Sequence, residues 1–203
     1  MVPYVTILMK KAKSAIGKIK LLELNEAYNK ALLWFFSYPD KEISLGGLSE
    51  NLEIAKTTAN RVVNRLVGEG FLKLDVLGRV WRISVNKGHI FNYSKKIGFN
   101  LMMICESNII EEIHKTIPNP KAIVLFGSYR KGDDTEESDI DIAVEVTDDR
   151  ELRILETELM PYMGYRENVP LKIHVFSRNK IDLNLFSNIA NGIVLEGFLE
   201  VRL

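Results

Sequence analysis

Residues 122–146 read AIVLFGSYRKGDDTEESDIDIAVEV. Two apolar runs, 122–126 and 140–146, flank a polar insert that opens on Gly127-Ser128 and leads to Asp139. Short apolar runs bounded by glycine and polar residues predict buried strands, so the segment reads as strand, Gly-Ser turn, loop, strand. Alternate strand residues point to the same face, which sets Asp139 and Asp141 together just beyond the turn. Two carboxylates so placed are close enough to share a divalent cation. Magnesium takes oxygen ligands and is often held by one or two carboxylates plus substrate phosphates.

Outward from this segment, the apolar spacing predicts mostly helix over 87–117, with Phe99, Met102, Met103, Ile109, Ile110 and Ile113 as its apolar positions, closed by Pro118 and Pro120. Downstream, a helix is expected around 150–160, a strand over 171–176, and a short helical region at the end. The acidic run Asp133, Asp134, Glu136, Glu137 reads as a solvated loop. Cys105, the single cysteine, rules out an internal disulfide and is expected to fill the core.

The N-terminal half has a different organisation. Helical spacing runs from Leu21 to about Tyr38, where Pro39-Asp40 breaks it. Residues 43–85 then divide into a short helix, a tight turn, a longer helix over about 56–68 and a hairpin around Leu77-Gly78. Ala59, Val62, Val63 and Leu66 form the inner stripe of the longer helix. Lys56, Thr57, Asn60, Arg61 and Asn64 are left on its outer face. These side chains suit phosphates and base edges, and an α-helix fits the major groove. Arg79 and Arg82 on the hairpin are placed to reach adjacent phosphates.

Charge follows the same division. Residues 1–100 hold 16 Lys+Arg against 8 Asp+Glu, and residues 101–203 hold 11 against 19, so a net charge of zero conceals +8 and −8. A basic half beside an acidic half implies different partners for each. No apolar run approaches the ~20 residues that span a bilayer. The N-terminus has its apolar part ahead of its lysines, the wrong order for a signal peptide. The expectation is a cytoplasmic protein with no membrane partner.

Two resemblances attach to these residues. LSENLEIAKTTANRVVNRLVGEGFL with its following hairpin resembles the winged helix-turn-helix of many archaeal and bacterial transcription regulators. It implies a double-stranded DNA partner, and a homodimer built on residues 1–20 or the 87–117 helix. Gly127-Ser128, ten residues, then Asp139-Ile140-Asp141 resembles the minimal nucleotidyltransferases of the DNA polymerase β superfamily. That likeness implies ATP or another NTP as substrate, and Mg2+ held by Asp139 and Asp141 as catalytic residues. It implies triphosphate contacts from Gly127, Ser128 and Lys131, with Arg130 an alternative cation. The implied reaction is attack of a hydroxyl on the α-phosphate with release of pyrophosphate. Some such relatives modify toxins, which adds a protein acceptor or toxin to the implied partners.

The expected architecture is therefore an α/β (α+β) two-domain chain: an arm or strand over 1–20, a winged helix over 21–86, a helical linker over 87–104, and a nucleotidyltransferase fold over 105–203 with a mixed β-sheet flanked by helices. One departure stands out. The later strand that usually carries a third carboxylate reads Pro170-Leu-Lys-Ile-His-Val-Phe, with Lys172 and His174 at the outward positions and Glu167 just before it. Two functions follow: a nucleotidyltransferase acting on an unidentified acceptor, or a DNA-binding regulator whose second domain senses nucleotide or holds a dimer.

Overall fold

The computed structural model describes residues 27–78, 80–148, 150–156 and 161–201. The expected arm over 1–20 and Arg79 lie outside them. The first half contains α1 (Ala27–Ser37), α2 (Leu45–Asn51), α3 (Lys56–Gly68) and the hairpin β1 (Leu72–Leu77) with β2 (Val80–Val85). Ser44 caps α2 by accepting from Gly47 N at 3.1 Å; such caps are worth about 1 kcal/mol. The stripe predicted for α3 is the buried one: Ala59, Val62, Val63 and Leu66. It packs with Phe35, Phe36, Leu48 and Leu52 around Phe71. The Phe71 ring lies 5.4 Å from that of Phe36 and 5.5 Å from that of Phe91. Ile43 bridges Ile83, tying the α2 entry to the hairpin. Helices α2 and α3 followed by this hairpin are a winged helix.

The second half begins with α4 (Lys95–Glu106) and α5 (Ile109–Thr116). It continues through β3 (Ala122–Phe126), α6 (Gly127–Lys131), β4 (Ile140–Glu145), β5 (Arg153–Glu156), β6 (Leu171–Phe176), α7 (Leu183–Ala190) and β7 (Ile193–Gly197). The five strands form one mixed sheet in the order β5-β6-β4-β3-β7, with β4 and β6 parallel and the other pairs antiparallel. All five residues of β3 are buried, as expected of a strand covered on both faces. Ile123 and Leu125 pack with Ile104, Ile109 and Ile113 of α4 and α5. Val124 and Phe126 pack with Ile189 of α7 on the opposite face.

Three expectations change. The helix expected around 150–160 is, among the described residues, the edge strand β5, paired with β6 from Arg153 opposite Val175 to Glu156 opposite Lys172. Pairing with an available sheet edge outweighs local helix preference. The chain end adds strand β7 after its helix. Cys105 is exposed rather than core, because α4 turns Met103 and Ile104 inward instead.

Candidate nucleotide cleft and nucleic-acid face

The outer face of α3 is laid out as its periodicity requires. Lys56, Thr57, Arg61 and Asn64 are exposed and Asn60 is half-buried, with Asn64 Nδ2 donating to Asn60 Oδ1 at 2.6 Å. Arg82 on the wing is exposed but ion-paired with Glu42. An exposed pair of this kind is worth under about 1 kcal/mol, so phosphate can displace the glutamate.

The second site forms where β3 ends and β4 begins. Gly127 starts α6 directly after the strand, with φ +72°. A left-handed residue there costs a side chain roughly 1–2 kcal/mol. Space is the second constraint: a Cβ on Gly127 would lie 2.5 Å from Asp141 Oδ2. The glycine thus lets the backbone fold against the Asp141 carboxylate. Ser128 is half-buried in the first turn of α6, and Lys131 is exposed at its last position.

Asp141 stands opposite Phe126 on β3 and Lys172 on β6. Both aspartates meet the strand that sequence singled out. Lys172 Nζ lies 2.5 Å from Asp139 Oδ2, and His174 Nε2 lies 3.1 Å from Asp141 Oδ1. His174 is wedged edge-on against the Phe126 ring at 5.0 Å. Its Nδ1 is buried with no hydrogen-bond partner among the described residues. The two side chains expected to face outward on β6 do so, and each holds one aspartate. Glu167 is exposed on the segment before β6.

For magnesium the donor chemistry fits in part. Asp139 and Asp141 are hard oxygen donors at the start of the central strand β4. Each already has one oxygen engaged by a nitrogen. Among the described residues no cluster of three or more His, Cys, Asp or Glu side chains could hold a metal. Two carboxylates, with phosphate oxygens completing the shell, are a donor set that suits magnesium.

Several residues that build the cleft escaped the sequence reading. Asp134 is not solvated: it is 4% exposed, pairs with Lys96 Nζ at 3.1 Å and accepts from Asn100 Nδ2 at 2.8 Å. Burial pushes the Asp134 carboxyl up and the Lys96 ammonium down, and the opposite charge of each resists both shifts. Tyr129 is buried in the centre of α6 and bonds Arg166. Lys96, Asn100 and Met103 share a helical face with the inward-facing Ile104; a lysine on an apolar face was the available signal.

Residues 108–196 match the family model for polymerase beta, nucleotidyltransferase. No curated protein matches the chain. Among solved structures, the chain is similar to reduced HlyU from Vibrio cholerae N16961 at 17% identity and TM-score 0.29, over 55% of this chain and 97% of that one. It is also similar to the heme sensor protein PefR from Streptococcus agalactiae in complex with heme, at 19% identity and TM-score 0.32, over 59% and 81%. The chain thus joins an N-terminal winged helix to a C-terminal nucleotidyltransferase fold, a mixed sheet flanked by helices. Among the described residues no helix is long and apolar enough to cross a membrane.

Proposed function

We propose that this chain is a DNA-binding regulator whose nucleotidyltransferase domain binds a nucleoside triphosphate with one magnesium ion and transfers its nucleotidyl group only slowly. The observation that carries this reading is the 2.5 Å contact between Lys172 Nζ and Asp139 Oδ2. Gly127 admits the phosphates to the backbone, Ser128 offers them a hydroxyl and an N–H, and Lys131 adds a cation nearby. Asp139 and Asp141 hold the ion, which when bound neutralises phosphate charge. Transfer also needs a proton removed from the acceptor hydroxyl as its oxygen attacks the α-phosphate and pyrophosphate leaves. Lys172 is a cation where a base is wanted, and His174 is engaged by Asp141.

The intact pairing of Gly127-Ser128 with two aspartates supports a second reading, efficient transfer to an acceptor such as a protein or toxin. Labelled ATP with magnesium separates the two. On the regulator reading, wild type binds ATP with little transfer or pyrophosphate release. Asp139→Ala with Asp141→Ala removes binding, and Lys172→Asp raises turnover about tenfold or more by supplying a carboxylate. Fast wild-type turnover that Lys172→Asp leaves unchanged or lowers establishes the transferase instead. Absence of ATP binding by wild type rejects both.

For DNA, Arg61→Ala is expected to weaken duplex binding and to reduce the slope of log K against log salt by about one, the loss of one phosphate contact. Wild-type affinity at every salt concentration would remove Arg61 from the interface. No binding to any duplex at low salt would remove the interface altogether.

A further inference from the structure

We propose that Arg166 is the positioning residue of the nucleotide cleft. Its guanidinium ties the helix that opens on Gly127-Ser128 to the loop that delivers Asp139, while the end of α1 clamps the tight turn that carries it. This rests on reading the Asp139/Asp141 cleft as a nucleotide site. Arg166 is 8% exposed and makes no salt bridge among the described residues. Nη1 donates to Tyr129 Oη at 2.6 Å and to Thr135 O at 2.8 Å. Nη2 donates to Glu136 O at 2.6 Å and to Ser138 O at 3.0 Å. Tyr129 follows Ser128, and Ser138 precedes Asp139. One planar group thus fixes the two halves of the site across the polar insert. A fork of donors in fixed geometry suits this task, and a lysine ammonium on a flexible stem does not.

The turn that carries Arg166 is held by the winged-helix half. Met163 and Arg166 close a tight turn through Met163 N to Arg166 O at 2.9 Å and Arg166 N to Met163 O at 3.2 Å. Ser37, the last residue of α1, accepts from Tyr165 N at 3.0 Å, while its own hydroxyl donates to Leu33 O at 2.8 Å. Tyr38 donates to Tyr165 O at 2.8 Å. Gly164 sits between them at φ +69°, where a Cβ would meet Ser37 Oγ and, at 3.0 Å, Leu33. The chain therefore runs from the DNA-binding half to Arg166 and from Arg166 to both halves of the nucleotide site.

The full-length chain tests this by ATP titration with magnesium and by amide hydrogen exchange. Arg166→Lys keeps the charge and loses the fork. It is expected to weaken ATP binding about tenfold, the loss of one or two buried hydrogen bonds. Exchange should accelerate over 127–141 and stay unchanged in α3. Tyr129→Phe, which keeps the three carbonyl bonds, is expected to weaken ATP binding about two- to fivefold. Ser37→Ala is expected to accelerate exchange in the same segment from the far side of the turn. Full rescue by lysine, with wild-type affinity and exchange, overturns the proposal, since charge alone would then suffice. So does acceleration spread evenly over the domain, which marks a general packing role. If wild type binds no ATP, the nucleotide reading fails separately. The exchange pattern then decides whether Arg166 organises this loop.

Discussion

Asp134→Ala is expected to cost the folded chain about 3–5 kcal/mol, because it leaves the Lys96 ammonium buried without its carboxylate. For a chain of this size that corresponds to a fall in Tm of roughly 10 °C or more. Lys96 is 1% exposed and Asp134 4%, so water cannot replace the lost partner without opening the site. Asn100 Nδ2 loses an acceptor as well, although it retains Tyr129 O at 3.0 Å. Lys96 Nζ keeps only the Asp134 backbone carbonyl, at 2.5 Å. Removing both charges is a different experiment. Lys96→Met with Asp134→Leu replaces the pair by apolar groups, which is often close to neutral. A double-mutant cycle with Lys96→Met and Asp134→Leu, singly and together, read by denaturant unfolding, should therefore show the double costing far less than the sum of the singles. A single Asp134→Ala variant within about 1 kcal/mol of wild type would show that Lys96 escapes to solvent and that the pair is not structural.

Gly127→Ala should be the most damaging single methyl in the proposed nucleotide cleft. The left-handed backbone costs roughly 1–2 kcal/mol with any side chain, and the new carbon would lie 2.5 Å from Asp141 Oδ2. Either α6 shifts or Asp141 leaves His174. Both move a carboxylate relative to the phosphates, so ATP affinity should fall about tenfold or more, as one pair of contacts is lost. DNA affinity should not change, because the α3 face lies in the other domain. Gly98→Ala is the matched control. Its Cβ would meet nothing within 4 Å inside α4, and Ala is the better helix former by about 1 kcal/mol. Equal ATP affinity for the two variants would remove Gly127 from the site.

The aspartates, the break at Gly127 and the strands around them were legible because they depend on neighbours in sequence, although Gly127-Ser128 open the short helix α6 rather than a turn. The apolar stripe of α3 is a local periodicity and burial followed it, whereas β4 does not alternate: it is buried at every position but Asp141. The helix expected around 150–160 failed because its few residues lacked a period long enough to resist an open sheet edge. The acidic insert was misread at Asp134 because nothing near it in sequence announces Lys96, 38 residues earlier. Arg166 was invisible for the same reason: its four acceptors lie 28–37 residues away.

The sequence by itself determined the two architectures, the face of α3 that meets solvent, and the pair of carboxylates beside a glycine that must stay a glycine. Each is set by backbone geometry and hydrophobic period within a few residues. Only the tertiary structure decided that Lys172 and His174 each take one aspartate, that a buried Lys96–Asp134 pair seals the insert, and that Arg166 joins its ends. Those depend on which strands become neighbours and in what register, and a parallel β4–β6 pairing across some 30 residues leaves no local trace.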